Sequence, residues 1–145
     1  MKEIEDFSLE GHQGPYEKWP LKTRLFYKAE ETGTFISGFV IEKQYSLNNE
    51  FYFLIASYDC PFEESNEFYL LDKNFKIKSR RSLIFPYESY LLMNVEIFNE
   101  KELLLEYASK VTYKLTLHPG ASWFQRKIKL KNISGLDGAF PDQVK

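Results

Sequence analysis

Two groups of residues in this sequence have the types from which catalysis could be built. Cys60 is the single cysteine and the one conceivable thiol nucleophile; His118 could serve as its base, with Asp59 or another carboxylate orienting the ring. Asp59, Glu63, Glu64 and Glu67 place four carboxylates within nine residues. Such a set could hold a hard cation or divide acid and base roles in a hydrolysis. Each group also has a plainer reading. Nothing in the sequence links Cys60 to His118, and a buried cysteine packs as a small hydrophobe. The acidic segment lacks the spaced Asp/Asn and Gly of a calcium loop, so plain solvation of an acidic loop explains it better, with protein recognition as a second reading.

The basic residues form a more regular pattern. Lys76, Lys78 and Arg80 alternate with Phe75 and Ile77, and Lys127, Lys129 and Lys131 alternate with Ile128 and Leu130. On a strand this spacing puts three cations on one face and the apolar residues on the other. If the two strands lie close together, six cations converge. Binding to nucleic acid would want aromatic rings interleaved with the cations for base stacking, and here the aromatic ring falls on the opposite face, which argues against a nucleic-acid partner. Lysines on an exposed strand face also keep a sheet edge from pairing with other chains.

Sharper motifs are missing. The sequence contains no GxGxxG, GxxxxGK[ST], HExxH, CxxC or GxSxG, which removes the commonest dinucleotide, nucleotide, zinc and esterase readings. With His12 and His118 as the two histidines, no metal site and no cofactor are expected. The net charge of −2 hides an asymmetry: residues 1–70 hold 13 acidic and 6 basic side chains, whereas residues 71–145 hold 8 acidic and 13 basic ones. A split of that kind can mark an interaction surface.

The elements that must position these residues read as strands. At 145 residues, with 43% apolar and 17% aromatic residues, the chain is sized for one domain with an aromatic core. Leu21, Thr23, Leu25 and Tyr27 alternate with polar residues, and a turn at Glu30–Gly33 predicts a hairpin with the run Phe35–Ile41. Phe51–Ala56 is apolar on both faces, as a central strand is. Phe68–Leu71 and Phe75–Ser82 flank a short polar turn, Tyr90–Phe98 forms another strand, and Gln125–Lys131 closes the set. Asn99 with Glu102 resembles a helix capping box, but the alternation of Val111, Tyr113, Leu115 and Leu117 that follows favours a strand over 99–108 and a hairpin.

These segments predict an all-β, mainly antiparallel, single-domain β-barrel or β-sandwich of about eight or nine short strands with few or no helices. Residues 1–20 are expected as an irregular segment or lid pinned by Trp19, residues 21–132 as the β domain and residues 133–145 as a loop or tail. The core face should hold Leu25, Phe53, Phe75, Ile77, Val95, Ile97, Tyr113, Leu115 and Ile128. The acidic start Met1–Asp6 lacks the apolar stretch of a secretion signal, and no apolar run approaches the length of a membrane span, so a cytoplasmic protein without a membrane partner is expected. By elimination, the function expected first is a non-enzymatic protein that binds or inhibits a protein partner, such as an immunity protein that neutralises a bacterial toxin. A β-barrel holding a small apolar ligand comes second, and a hydrolase built on Cys60 and His118 or on the 59–67 carboxylates third. The binding residues expected are Asp59, Glu63, Glu64, Glu67, Lys76, Lys78, Arg80, Lys127, Lys129 and Lys131.

Overall fold

The computed structural model describes residues 1–58, 65–84, 91–108, 110–122 and 124–134. Asp59, Cys60, Glu63, Glu64 and the tail from residue 135 onward lie outside the described residues. Among the described residues the fold is all-β, with twelve strands in three sheets, every ladder antiparallel, and one 3-10 turn at Tyr16–Lys18. The chain falls into two compact units, Met1–Pro86 and Tyr87–Lys145.

The first unit holds β1 (Lys2–Glu3), β2 (Phe7–Leu9), β3 (Thr23–Tyr27), β4 (Glu30–Ile36), β5 (Val40–Leu47), β6 (Phe51–Ser57), β7 (Ser65–Asp72) and β8 (Ile77–Ile84). A five-stranded sheet runs β1-β5-β6-β7-β8, and a three-stranded sheet runs β2-β3-β4. The first twenty residues, expected as a loop, thus supply two strands too short to display a period. Gln44 on β5 helps to fix β2. Its side-chain oxygen accepts from Phe7 N at 2.7 Å and its amide donates to Phe7 O at 3.0 Å, as a neighbouring strand would.

Two hairpins close through pairs of residues in the left-handed region, Lys28 and Ala29 (φ 49° and 67°) and Asn48 and Asn49 (φ 51° and 59°). Such turns match the right-handed twist of the strands they join. The β3–β4 turn therefore lies earlier than the expected Glu30–Gly33. Gly33 (φ 80°) instead sits inside β4, where the register against β3 shifts. The expected strand Phe35–Ile41 is also interrupted, because Gly38 (φ 119°) carries the chain out of the small sheet and into the large one.

Phe7, Leu25 and Ile36 of the small sheet form one buried cluster with Leu54, Ala56, Tyr69 and Leu71 of the large sheet. The rings of Tyr27, Tyr52 and Phe75 surround Phe7, with centroids at 4.9, 5.0 and 5.9 Å. Burying a ring or a leucine in this way contributes about 1.5–3 kcal/mol each. The opposite face of the large sheet is buried too: Phe53, Ile55, Phe68 and Leu70 are all 0% exposed. β6 is the middle strand, as its two-sided apolar sequence implies.

Tyr45 belongs to that second face, beside Phe53, and its buried hydroxyl has no hydrogen-bond partner among the described residues. Burial raises the phenol's pKa, with the charge of Glu3 adding to it. A buried hydroxyl left unpaired costs about 1–3 kcal/mol. Tyr45→Phe is therefore expected to raise stability by about 1 kcal/mol, read as a higher urea midpoint at unchanged slope. A lower midpoint would show that the hydroxyl does find a partner.

β8 departs from the expected alternation. Its register against β7 slips between Leu70 and Leu71, so Ile77 lies opposite Leu71 and Arg80 opposite Tyr69, with Lys78 as the extra residue of a bulge. Leu71 and Tyr69 share a face, so Ile77 and Arg80 do as well, contrary to the pattern read from the sequence. At the start of an edge strand, Ile77 is 41% exposed rather than in the core.

The second unit is a four-stranded meander of β9 (Leu92–Ile97), β10 (Glu102–Tyr107), β11 (Thr112–Leu117) and β12 (Ile128–Asn132), in the order β12-β11-β10-β9. The ambiguous stretch 99–108 holds a strand, β10, and no helix. Asn99 shapes the turn before it, accepting from Lys101 N at 2.9 Å and donating to the Glu102 carboxylate at 2.7 Å. Leu103, Leu105, Leu115, Leu117 and Ile128 are buried. Val95 and Tyr113 are half-buried, and Ile97, expected in the core, is 45% exposed because β9 is an edge strand.

Candidate functional site

In the first unit, the structure brings together two residues that the sequence assigned to separate groups. Glu67, with a side chain only 5% exposed, lies on β7 across from Ser82 and accepts hydrogen bonds from the Ser82 hydroxyl and, at 3.3 Å, from the Arg80 guanidinium. The Tyr58 hydroxyl lies 3.5 Å from the same carboxylate. Burial raises the pKa of Tyr58, and the Glu67 charge adds to the effect. Lys22 faces the cluster as well; burial and then the Arg80 charge lower its pKa, with Glu67 opposing them. Arg80 also stacks over the ring of Tyr69 at 5.5 Å, whose hydroxyl accepts from Ser37 N at 2.7 Å.

The segment expected as a lid packs beside this cluster. Phe39 is the hub of an aromatic group, with His12, Tyr16, Trp19 and Tyr58 centred 5.3, 5.5, 5.0 and 5.4 Å away. Trp19 is held by its indole N–H, which donates to Gly14 O at 3.1 Å. Thr23 donates its hydroxyl proton to Gly38 O at 2.8 Å, so it is an acceptor toward His12 Nε2 at 3.0 Å. That bond requires the proton on Nε2. With Phe39 filling the centre and Glu67 supplied with donors, this region is a satisfied polar and aromatic cluster that joins the two sheets.

Lys78 and the backbone of Lys76 serve the β7–β8 hairpin. Asp72 accepts from Asn74 N at 2.8 Å and Lys76 N at 3.0 Å, with the Lys78 ammonium 3.7 Å away. Burial works to raise the Asp72 pKa, but these two N–H groups and the neighbouring lysines outweigh it and hold the carboxyl below its ordinary range.

In the second unit a surface depression of about 600 Å³ opens at the end of the β11–β12 hairpin, lined by Lys101, His118, Pro119, Gly120, Ala121, Gln125, Arg126 and Lys129. Backbone bonds build its floor: Leu117 N donates to Lys101 O at 2.8 Å and His118 N to Lys127 O at 2.8 Å. The Lys127 ammonium turns back to the Ala121 carbonyl and ties down the wall of the loop. Among the described residues no carboxylate lines the depression. Lys101, Arg126 and Lys129 have no ion-pair partner among the described residues, so the positive charge here is uncompensated. The nearby Lys114 is different: it pairs with Glu102 at 3.1 Å, and Thr116 donates to the same carboxylate at 3.0 Å. Burial works against the Glu102 charge, but Asn99, Lys114 and Thr116 outweigh it and lower its pKa.

Of the expected cations, Lys129 lines the depression, Lys127 braces it, and Lys131 lies opposite Lys114 on β12. β8 and β12 belong to different sheets, so the two lysine-bearing strands are not neighbours in one ladder. Lys101 and Arg126 were not anticipated from the sequence, because each sits in a turn or loop where no period marks it. Among the described residues no group of three or more His, Cys, Asp or Glu could hold a metal ion, and no helix is long and apolar enough to cross a membrane. Comparison with family models, with curated proteins and with solved structures finds no match to this chain.

Proposed function

We propose that this chain is a binding protein, acting without catalysis, whose second unit docks an acidic segment of a macromolecular partner, as an inhibitor or an immunity protein would. The observation that carries this reading is the depression lined by Lys101, His118, Arg126 and Lys129, with no carboxylate in its wall among the described residues. Unpaired cations around a concavity concentrate field, steer an anionic partner and set its orientation. Among the described lining residues the one aromatic ring is His118, a single platform where nucleic-acid binding stacks successive bases on several rings, so a protein partner is favoured. In the first unit, the two sheets facing each other across Phe7, Leu25, Leu54 and Tyr69 act as a β-sandwich scaffold. Rings fill its interior where an apolar ligand would have to lie, so the small-ligand reading gains no support from it.

The test is an NMR titration of the labelled full chain with a glutamate-rich peptide at low and at physiological salt. Saturable shifts are expected at Lys101, His118, Arg126 and Lys129, weakening as salt rises. Reversing two rim charges with Arg126→Glu and Lys129→Glu should weaken binding by about tenfold or more. If the peptide produces no saturable shifts at low salt, or the double variant binds as well as the parent, this reading is wrong.

A further inference from the structure

The loop that walls the depression also carries the most exposed aromatic ring among the described residues. Phe124 is 70% exposed. It immediately precedes Gln125 and Arg126, both of which line the depression, so its Cα lies about 3.8 Å from the first and within about 7 Å of the second. The turn that presents the ring is tied down at several points. Gln125 N donates to Ser122 O at 2.9 Å, which makes Phe124 the third residue of a four-residue turn. Ala121 N donates to His118 O at 3.1 Å, and the Lys127 ammonium holds the Ala121 carbonyl. A ring on a loop already ordered in this way loses little freedom when a partner covers it, which is what an anchor residue at an interface requires.

We propose that Phe124 and the depression form one composite surface, and that the acidic segment it takes carries an apolar side chain beside its carboxylates. The apolar group packs on Phe124 while the carboxylates meet Lys101, Arg126 and Lys129. This rests on the reading of the depression as a site for an acidic segment and specifies that segment further.

Charge and shape select this occupant. Lys101, Arg126 and Lys129 have no ion-pair partner among the described residues, so whatever covers them must bring anions. A wholly apolar cover would desolvate those cations with nothing to pair them. A wholly polar one would leave the ring in water and forgo the burial it offers. The cations belong to the wall of a concavity of about 600 Å³, which a protruding peptide segment enters and a flat lipid surface spans. A nucleic-acid strand would bring a base with every phosphate and call for a succession of rings, whereas an acidic peptide with one apolar residue needs a single ring.

Fluorescence anisotropy with two labelled peptides tests this: a run of glutamates flanked at each end by leucine, and the same run flanked by alanine. The full chain is expected to bind the leucine peptide about tenfold more tightly. That ratio should hold as salt rises while both affinities fall, because salt screens the charges and leaves the apolar contact. Phe124→Ala should bring the two peptides to within about twofold of each other without weakening the alanine peptide, and Phe124→Leu should keep the preference. Circular dichroism should show both variants folded, since the ring is exposed. Equal binding of the two peptides to the parent overturns this inference and leaves the depression as a site for acidic segments, whereas binding of neither overturns both. A preference that survives Phe124→Ala overturns it by placing the apolar contact elsewhere. Capture of the parent by vesicles of phosphatidylserine and phosphatidylcholine, or by a single-stranded oligonucleotide, with no preference between the peptides overturns it in favour of a lipid surface or a nucleic acid.

Discussion

Gly38→Ala is expected to destabilise the first unit by about 3 kcal/mol, the larger part from collision and the rest from backbone strain. Gly38 sits at φ 119°, where L side chains rarely go. A Cβ placed there would lie 3.0 Å from the Ala56 Cβ and 3.2 Å from Ser57 O. Neither neighbour can retreat. The Ala56 Cβ is fixed to the backbone of the central strand, and Ser57 O accepts from Phe39 N at 2.8 Å just past the corner. Moving the corner would also pull the Gly38 carbonyl from Thr23, and with it the support of His12. Gly33 is the control, because its φ of 80° carries similar strain but nothing lies within 4 Å of an added Cβ. Gly33→Ala should cost only about 1–2 kcal/mol. Urea unfolding followed by tryptophan fluorescence measures both. Equal losses at the two positions would mean that the close approach at the corner contributes nothing.

The corner also shows what the sequence could and could not disclose. Period-2 alternation reports a strand that is half-buried and regular, so β3, β11 and β12 were legible, whereas β10, with three leucines in a row, could be read only through the hairpin it makes with β11. So was β6 as a central strand, since it is apolar on both faces. β1 and β2 span two and three residues, too few for any period, and β5 mixes half-buried residues on both faces. The β3–β4 turn was misplaced because Lys28 and Ala29 adopt left-handed conformations that their side chains do not advertise, whereas Gly33 advertises a turn and makes a bulge. Ile77 lies opposite the buried Leu71 but is exposed because it opens an edge strand, and the bulge at Lys78 brings Arg80 onto its face, where plain alternation put the two on opposite faces.

The candidate sites follow the same logic. Lys127, Lys129 and Lys131 could be read because they sit on or beside a regular strand. Lys101 and Arg126 could not, since loop residues converge through the fold and leave no local pattern. The acidic first half and basic second half do not coincide with the two units. Residues 1–86 carry 14 acidic and 11 basic side chains and residues 87–145 carry 7 and 8, so the asymmetry seen along the chain is mostly interleaved by folding. What survives is local: a depression that gathers cations with no ion-pair partner among the described residues.

Glu67 and Arg80 should respond unequally to mutation, which makes their pairing measurable. Arg80→Met leaves a carboxylate that is 5% exposed without its guanidinium, while the Ser82 and Tyr58 hydroxyls still donate to it. Losing one partner of a fully buried pair costs about 3–5 kcal/mol. Here the expected loss is about 2–3 kcal/mol, because Arg80 is itself 40% exposed and Lys22 remains as a nearby cation. Glu67→Gln should cost only about 1 kcal/mol: the amide oxygen still accepts from Ser82, and the freed guanidinium can turn to water while keeping its stack on Tyr69. Once Glu67 is neutral, removing Arg80 strands no charge. The Glu67→Gln, Arg80→Met double variant should therefore lose less than the sum of the single losses, by about 1–2 kcal/mol of coupling. Equal losses for the two single variants, or strict additivity in the double, would show that the buried carboxylate is held by its hydroxyl donors and that Arg80 contributes only its stack on the ring.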